Sequence, residues 1–312
     1  MFGYAIRRIL LSIPILLAVL TIVFLSIRVL PGDPAAVVLG DYASKAALDK
    51  LRKTMGIDKP LTLQYIDFLK GLVQGDFGKS MITGAPVVRE IVRALPYTLE
   101  LTLTGIVLGL MIGVPLGIIT ALHRNRFIDY MGRTFSLIGQ SFPSFYLGLL
   151  LMLLFSIKLK LFPIIGGGDL TDLKDTLYHL FLPGITMGMI MAAYMTRMSR
   201  SVMLNVLNED YIRTARAKGL KESIVIYKHA LKNILIPIIS ITGVYSIVLI
   251  GGSIMVEIIF SRPGLGKIMI GAMMQRDYIA LQSTMAIYSV FVVILNLITD
   301  LAYGLVDPRI KY

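Results

Sequence analysis

Six apolar runs, separated by polar segments of very unequal length, dominate the chain. A helix needs about 20 apolar residues to cross the hydrocarbon core of a bilayer. The runs are Ile9 to Leu30, about Leu95 to Leu122, about Thr134 to Ile157, Leu180 to Met198, about Ile234 to Phe260 and about Ser283 to Val306. This pattern predicts an all-α polytopic membrane protein with six transmembrane helices. Arg28 interrupts the first run near its end, where a long cationic side chain can snorkel to the interface. Arg7 and Arg8 resemble the basic start of a signal peptide, but the apolar run exceeds a signal-peptide core and no A-x-A site follows. The first helix is expected to be retained.

The polar segments set the orientation. Six crossings put both termini on one side. One set of short loops and ends carries Arg7, Arg8, Arg124, Arg126, Arg133, eight basic residues between Arg197 and Lys232, Arg309 and Lys311; the opposite short loops carry Lys158, Lys160, Lys174, Arg262, Lys267 and Arg276. Lys and Arg accumulate on the cytoplasmic side of short loops, so both termini are expected to be cytoplasmic. The chain divides accordingly. Residues 1–30 are the N-terminal segment and first span. Residues 31–94 are an outer cap, and residues 95–312 a five-helix core with a cytoplasmic loop at 199–233.

Composition agrees. Hydrophobic residues make up 56% of the 312 residues and charged residues 16%, against about 25% charged in soluble domains. Mean hydropathy is +0.77. The formal net charge of +12 would suggest nucleic acid in a soluble chain; here it reflects basic loops, and no nucleic-acid partner is expected. The chain has no cysteine, so it offers no disulfide frame, thiolate metal site or cysteine nucleophile.

Two short amphipathic helices are expected in the outer cap. Ser44 can cap SKAALDKLRKTMG, with Ala47, Leu48 and Leu51 on one face and Gly56 as a stop. Thr62 can cap TLQYIDFLKGLVQG, with Leu63, Ile66, Leu69 and Val73 as an apolar stripe. The cap either packs over helix ends or docks an external partner. GDFGKS at 75–80 ends like a phosphate loop, but that motif needs a Gly where Val73 stands. PGLGK at 263–267 fails because Ile268 follows its lysine.

Within the spans, Gly105, Gly109, Gly113 and Gly117 share one helical stripe. Glycine lets another backbone approach closely, which is how helices associate in lipid; lining a conduit is the alternative. Pro115 can kink the same helix. Glu100, Glu257 and Asp300 lie toward predicted helix ends, where they are expected to be hydrated. Met187, Met189, Met191, Met195 and Met198 read as packing residues. His123, His179 and His229 fall on different sides and cannot form one site. No carboxylate dyad, Ser–His pair or zinc motif supports an intramembrane enzyme. The sparse charge within the spans argues against a self-sufficient secondary transporter.

One cytoplasmic stretch, EDYIRTARAKG at 209–219, is polar and helix-forming. Glu209 and Asp210 suit the positive start of a helix dipole, and Lys218 and Lys221 its negative end. Ile212, Ala215 and Gly219 form a narrow, small-residue face, which would let this backbone sink into a groove on another molecule. The alternative is a basic helix lying on anionic headgroups, but no Trp, Phe or Leu anchors that face.

DYIRTARAKG, followed by HALKNILIP at 229–237, resembles the cytoplasmic loop signature of ABC importer permeases, and more narrowly of the dipeptide/oligopeptide/nickel branch. FGYAIRRILLSIP, FLSIRVLPGDPA, GDFGKS, SFPSFYLGLLLMLLFS, VEIIFSRPGLGK and DPRIKY extend the resemblance along nearly the whole chain. The long outer loop and the DPRIKY end are similar to the first, B-type permease subunit. Arg213, Thr214 and Ala215 stand where the general loop pattern reads Glu-Ala-Ala.

The resemblance implies that this loop is a coupling helix seated in a groove of a cytoplasmic ATPase subunit. Carried over, Glu209, Asp210, Tyr211, Arg213 and Lys218 would make contacts there, with Ala215 and Gly219 permitting close seating. It implies a second permease subunit, two ATPase subunits and an external solute-binding protein as partners. ATP and Mg²⁺ would be bound on the ATPase chains, leaving this chain without catalytic, cofactor or metal residues. The implied setting is the lipid bilayer of a bacterial or archaeal cell membrane. The implied cargo is a di- or oligopeptide, with nickel, a nickel chelate or glutathione as alternatives.

Overall fold

A computed structural model describes residues 2–29, 34–39 and 44–306. Part of the LPGDP turn, the DPRIKY end and the basic residues Arg309 and Lys311 lie outside the described residues. Helices, in order, are α1 Phe2–Val29, α2 Pro34–Leu39, α3 Lys45–Met55, α4 Leu61–Gln74, α5 Val87–Leu122, α6 Phe127–Ser141, α7 Ser144–Leu151, α8 Leu173–Leu207, α9 Asp210–Ala217, α10 Glu222–Ile224, α11 Leu231–Ile259, α12 Leu265–Met274 and α13 Tyr278–Val306. Two π-helical stretches, Met152–Lys158 and Val225–Ala230, continue α7 and precede α11. Among the described residues the extended pairing is one isolated bridge, Lys79 to Pro86.

Five helices are long and apolar enough to cross a membrane: α1, α5, α8, α13 and the continuous run Glu222–Ile259. The expected third span is not one rod. It is the pair α6 and α7, bent by 104°, and six spans are reached by counting that pair as one. Pro143 is the cause. It disfavours helical backbone at the preceding residue, and Phe142 is extended at φ −87°, ψ 129°. Pro143 then caps the new helix at Ser144.

The chain forms two compact units. The first comprises residues 1–10, 98–262 and 294–312. Its core centres on α8, where Met187, Met191, Ala192, Ala193 and Met195 are fully buried. The α5 glycines lie against this helix. A methyl placed on Gly105 would sit 2.7 Å from Met187 Cβ, on Gly113 2.6 Å from the Ala192 carbonyl, and on Gly117 2.6 Å from the Thr196 carbonyl; Gly109 faces Met191. The seam is reciprocal, because Gly184 and Gly188 of α8 receive Thr104 and Leu108 of α5.

The acids of this unit are mostly held in contacts. Glu257 is fully buried and accepts a 2.7 Å hydrogen bond from the Thr98 hydroxyl. Fully buried Arg262 donates to Glu100 at 2.6 Å, and Arg8 donates to Asp300 at 2.9 Å. The expected hydration of Glu257 is therefore corrected: its position near a helix end does not bring it to water.

The second unit comprises residues 11–97 and 263–293. Val23, Ile27, Val87, Ile91, Leu265, Tyr278 and Leu281 build its core. Ser44 caps α3 through a 3.3 Å hydrogen bond from the Ala47 N–H, and Gly56 ends the helix at φ +67°. At α4 the expected cap is corrected: Pro60 occupies that position and Thr62 lies in the first turn. The expected apolar stripe is corrected too. Leu63, Ile66 and Val73 are exposed, Val73 to 88%. The helix packs instead through Tyr65 and Phe68, whose rings lie 5.1 and 5.8 Å from Phe24 of α1. The GDFGKS segment is a structural turn, with the Ser80 hydroxyl and the Met81 N–H donating to Asp277.

Candidate functional site

The candidate is α9 and its flanks. Glu209 is the extended residue before the helix, and Asp210 lies in the first turn, where a carboxylate favours helix start. Gly219 ends the element. Its φ is +75°, its N–H donates to the Arg216 carbonyl at 2.9 Å, and the Leu220 N–H reaches the Ala215 carbonyl at 3.4 Å. Nothing stands within 4 Å of where a Gly219 side chain would begin. The glycine answers a demand for left-handed backbone.

The two faces of α9 have opposite roles from those expected for the small-residue face. Ile212 is fully buried and Ala215 is 7% exposed, both in the core that includes Val225, Ala230 and Ile234. The narrow face therefore seats this helix on its own chain, and Ala215 is not available as a contact for another protein. Ile and Ala suffice because the neighbouring π-helical segment lies close.

The outward face is polar. Asp210 and Arg213 have side chains 96% and 69% exposed and stand 3.5 Å apart; such exposed pairs contribute little to stability. Glu209, Tyr211, Lys218 and Gly219 are also exposed. The structure thus brings Glu209, Asp210, Tyr211, Arg213, Lys218 and Gly219 onto the exposed part of one element. Gly105, Gly109, Gly113 and Gly117 lie apart from it, in the α5–α8 seam.

Several contacts hold α9 in place and are not evident from the loop signature. Tyr211 Oη accepts from Asn233 Nδ2 at 2.9 Å, tying the helix to α11. Arg216 forks onto Glu222 at 2.6 and 3.2 Å, tying its end to α10. The Glu222 carboxylate holds the Arg216 guanidinium above its ordinary pKa, chiefly through that hydrogen bond. Upstream, Asp129 is fully buried and receives Arg200 of α8 bidentately at 2.6 and 2.9 Å, with the Asn125 N–H as a third donor. The only local sequence signal is Asp129 four residues before Arg133, which approaches it to 3.6 Å; Arg200 is 71 residues away.

This arrangement can bind and transmit. Among the described residues, no three His, Cys, Asp or Glu side chains gather where a metal ion could sit. A charged rod tied through Tyr211 and Arg216 to the single run Glu222–Ile259 is suited to pass displacement on to that run.

Residues 113–312 match the family described as binding-protein-dependent transport system inner membrane component, and residues 1–102 match the N-terminal region of binding-protein-dependent transport system membrane components. The glutathione transport system permease protein GsiC of Pectobacterium atrosepticum is 41% identical over 312 residues, covering all of both chains. Proteins of the same name from Escherichia coli K12 and Salmonella typhimurium are 40% and 39% identical over the same full length. Two inward-facing crystal forms of the MetNI methionine ABC transporter superpose with TM-scores of 0.58 and 0.54 at 18% and 22% identity, each covering 70% of this chain and 96% of that chain. These two establish likeness of fold.

Proposed function

The chain belongs to the family of binding-protein-dependent transport system inner membrane components, and from that premise we propose that it is the permease subunit through which an ATP-driven importer passes glutathione or a similar small peptide. The observation that carries the cargo is the end-to-end identity of 39–41% with proteins named glutathione transport permeases. The relatives' names favour glutathione, the expected alternative, over the expected di- or oligopeptide class, although glutathione is itself a tripeptide. Nickel has less support than glutathione.

In this reading both termini are cytoplasmic, the α6–α7 pair counts as one crossing, and residues 31–94 form the outer cap. A second permease chain completes the path. Two ATPase subunits bind ATP and Mg²⁺ and hydrolyse the nucleotide. An external solute-binding protein delivers cargo. The outward face of α9, with Glu209, Asp210, Tyr211, Arg213, Lys218 and Gly219, seats on an ATPase subunit, while Ile212 and Ala215 relay its motion inward.

The test is reconstitution of the complete importer in proteoliposomes, with labelled glutathione, a dipeptide and chelated nickel offered through the cognate binding protein. ATP-dependent accumulation of glutathione is expected. Accumulation of nickel alone would overturn the cargo assignment, and accumulation without ATP would overturn the importer itself.

A further inference from the structure

The second unit carries an open pocket of about 860 Å³, lined among others by Arg28, Lys53, Gln64, Phe68, Phe77 and Gln282. Sites for small molecules are typically about 300–1,000 Å³ with few polar groups on apolar walls. The charge arrangement inside is unusual. Lys59 is matched by Asp67 at 2.7 Å, and that hydrogen bond holds the Asp67 carboxyl below the usual carboxylate range. Arg28 has no such match: among the described residues no carboxylate meets it.

Arg28 is half-buried, and its guanidinium lies 3.5 Å above the Phe24 ring. Nη1 donates to the Phe24 carbonyl at 3.2 Å and to Gln282 Oε1. The other edge, Nε and Nη2, is the fork that ordinarily grips both oxygens of a carboxylate. Here it meets one neutral oxygen, Gln64 Oε1, at 3.4 and 3.3 Å. Both contacts are long for N–H···O bonds. Gln64 is itself anchored, since its Nε2 donates to the Ile57 and Lys59 carbonyls. A partly desolvated cation thus presents its bidentate edge to a weak, neutral occupant. Phe68 and Phe77 supply an apolar wall, and Asp76 lines the same space.

We propose that this cavity is a binding site for the carboxylate of a small peptide-like molecule, with Arg28 as its anchor. The carboxylate takes the Nε/Nη2 edge from Gln64, the body of the molecule lies against Phe68 and Phe77, and Lys53 adds a second cation at the rim. The site stands on its own geometry. That its natural occupant is transported cargo rests on the importer reading above.

The experiment uses the complete importer in nanodiscs, without the solute-binding protein, and measures binding of glutathione, a dipeptide and that dipeptide's C-terminal amide by equilibrium dialysis. The amide should bind about tenfold more weakly or worse, as loss of a charge-assisted hydrogen bond implies. Arg28→Gln should remove the difference between acid and amide. Gln64→Glu gives Arg28 a built-in carboxylate but loses the Nε2 donations to the Ile57 and Lys59 carbonyls; it should lower the melting temperature by a few degrees at most, leave the complex assembled, and suppress dipeptide binding. Equal binding of acid and amide to the wild type overturns the site. So does dipeptide binding that ignores both substitutions. Proteoliposome uptake separates the two readings. Uptake of glutathione without Arg28-dependent binding retains the importer and discards the site. Arg28-dependent binding without ATP-driven uptake does the reverse.

Discussion

Gly219 shows how a single residue is constrained by backbone shape and not by crowding. At φ +75°, an L side chain costs about 1–2 kcal/mol, and a β-branched one is the worst case. Gly219→Val should therefore displace the end of α9 and reduce ATPase stimulation by the assembled complex, whereas Gly219→Asn, which tolerates this conformation, should retain most of it. Equal loss in both would point to a side-chain clash with a partner instead. Arg213 is 69% exposed, so Arg213→Glu should leave the melting temperature of the purified chain unchanged. Coupled hydrolysis should nonetheless fall, because like-charge contact across an interface costs several kcal/mol. The sequence made these exposed charges legible through their helix-dipole placement. It misassigned Ile212 and Ala215, because a narrow apolar face looks the same whether the groove it fills belongs to a partner or to its own chain.

At the scale of elements, the α5–α8 seam was legible from glycine spacing on α5; Gly184 and Gly188 of α8 carry the same four-residue interval, face Thr104 and Leu108, and were passed over because a single pair is a weaker signal than a run of four. Gly113→Ala places a methyl 2.6 Å from a backbone carbonyl, and overpacking of this kind costs roughly 1–3 kcal/mol. Gly251→Ala, inside α11 with nothing within 4 Å, is the control and should be stabilising by up to about 1 kcal/mol, as Ala is the better helix former. Thermal denaturation in detergent, comparing the two, checks the seam directly. Asp129→Asn tests the clamp between α6 and α8. Removing one partner of a buried pair costs about 3–5 kcal/mol; Arg200 is 19% exposed, so about 3 kcal/mol or less is expected, read as a lowered melting temperature. The break at Pro143 escaped the hydropathy reading, because apolar side chains continue through it while the backbone turns.

The whole molecule poses a question of parity. Counting α6–α7 as one crossing places residues 159–172 outside and Lys218 inside; as a re-entrant pair it would reverse both. The chain lacks cysteine, so single cysteines report side without background. Thr171→Cys should react with an impermeant maleimide in intact cells, as should Val73→Cys, and Lys218→Cys should react only after permeabilisation. Labelling of Lys218→Cys in intact cells would sink the six-span reading. Length and apolar pattern made the helical architecture legible; the cavity around Arg28 was not, because it joins α1, α4 and α13 from distant parts of the chain. The glycine seam has a mechanical corollary. Where two rods touch main chain to main chain, little compressible material separates them to absorb a push. A shove delivered at the Leu207 end of α8 must then travel as the shift of a stiff double beam, and softening that joint by a few methyl groups would blunt the stroke before it arrived.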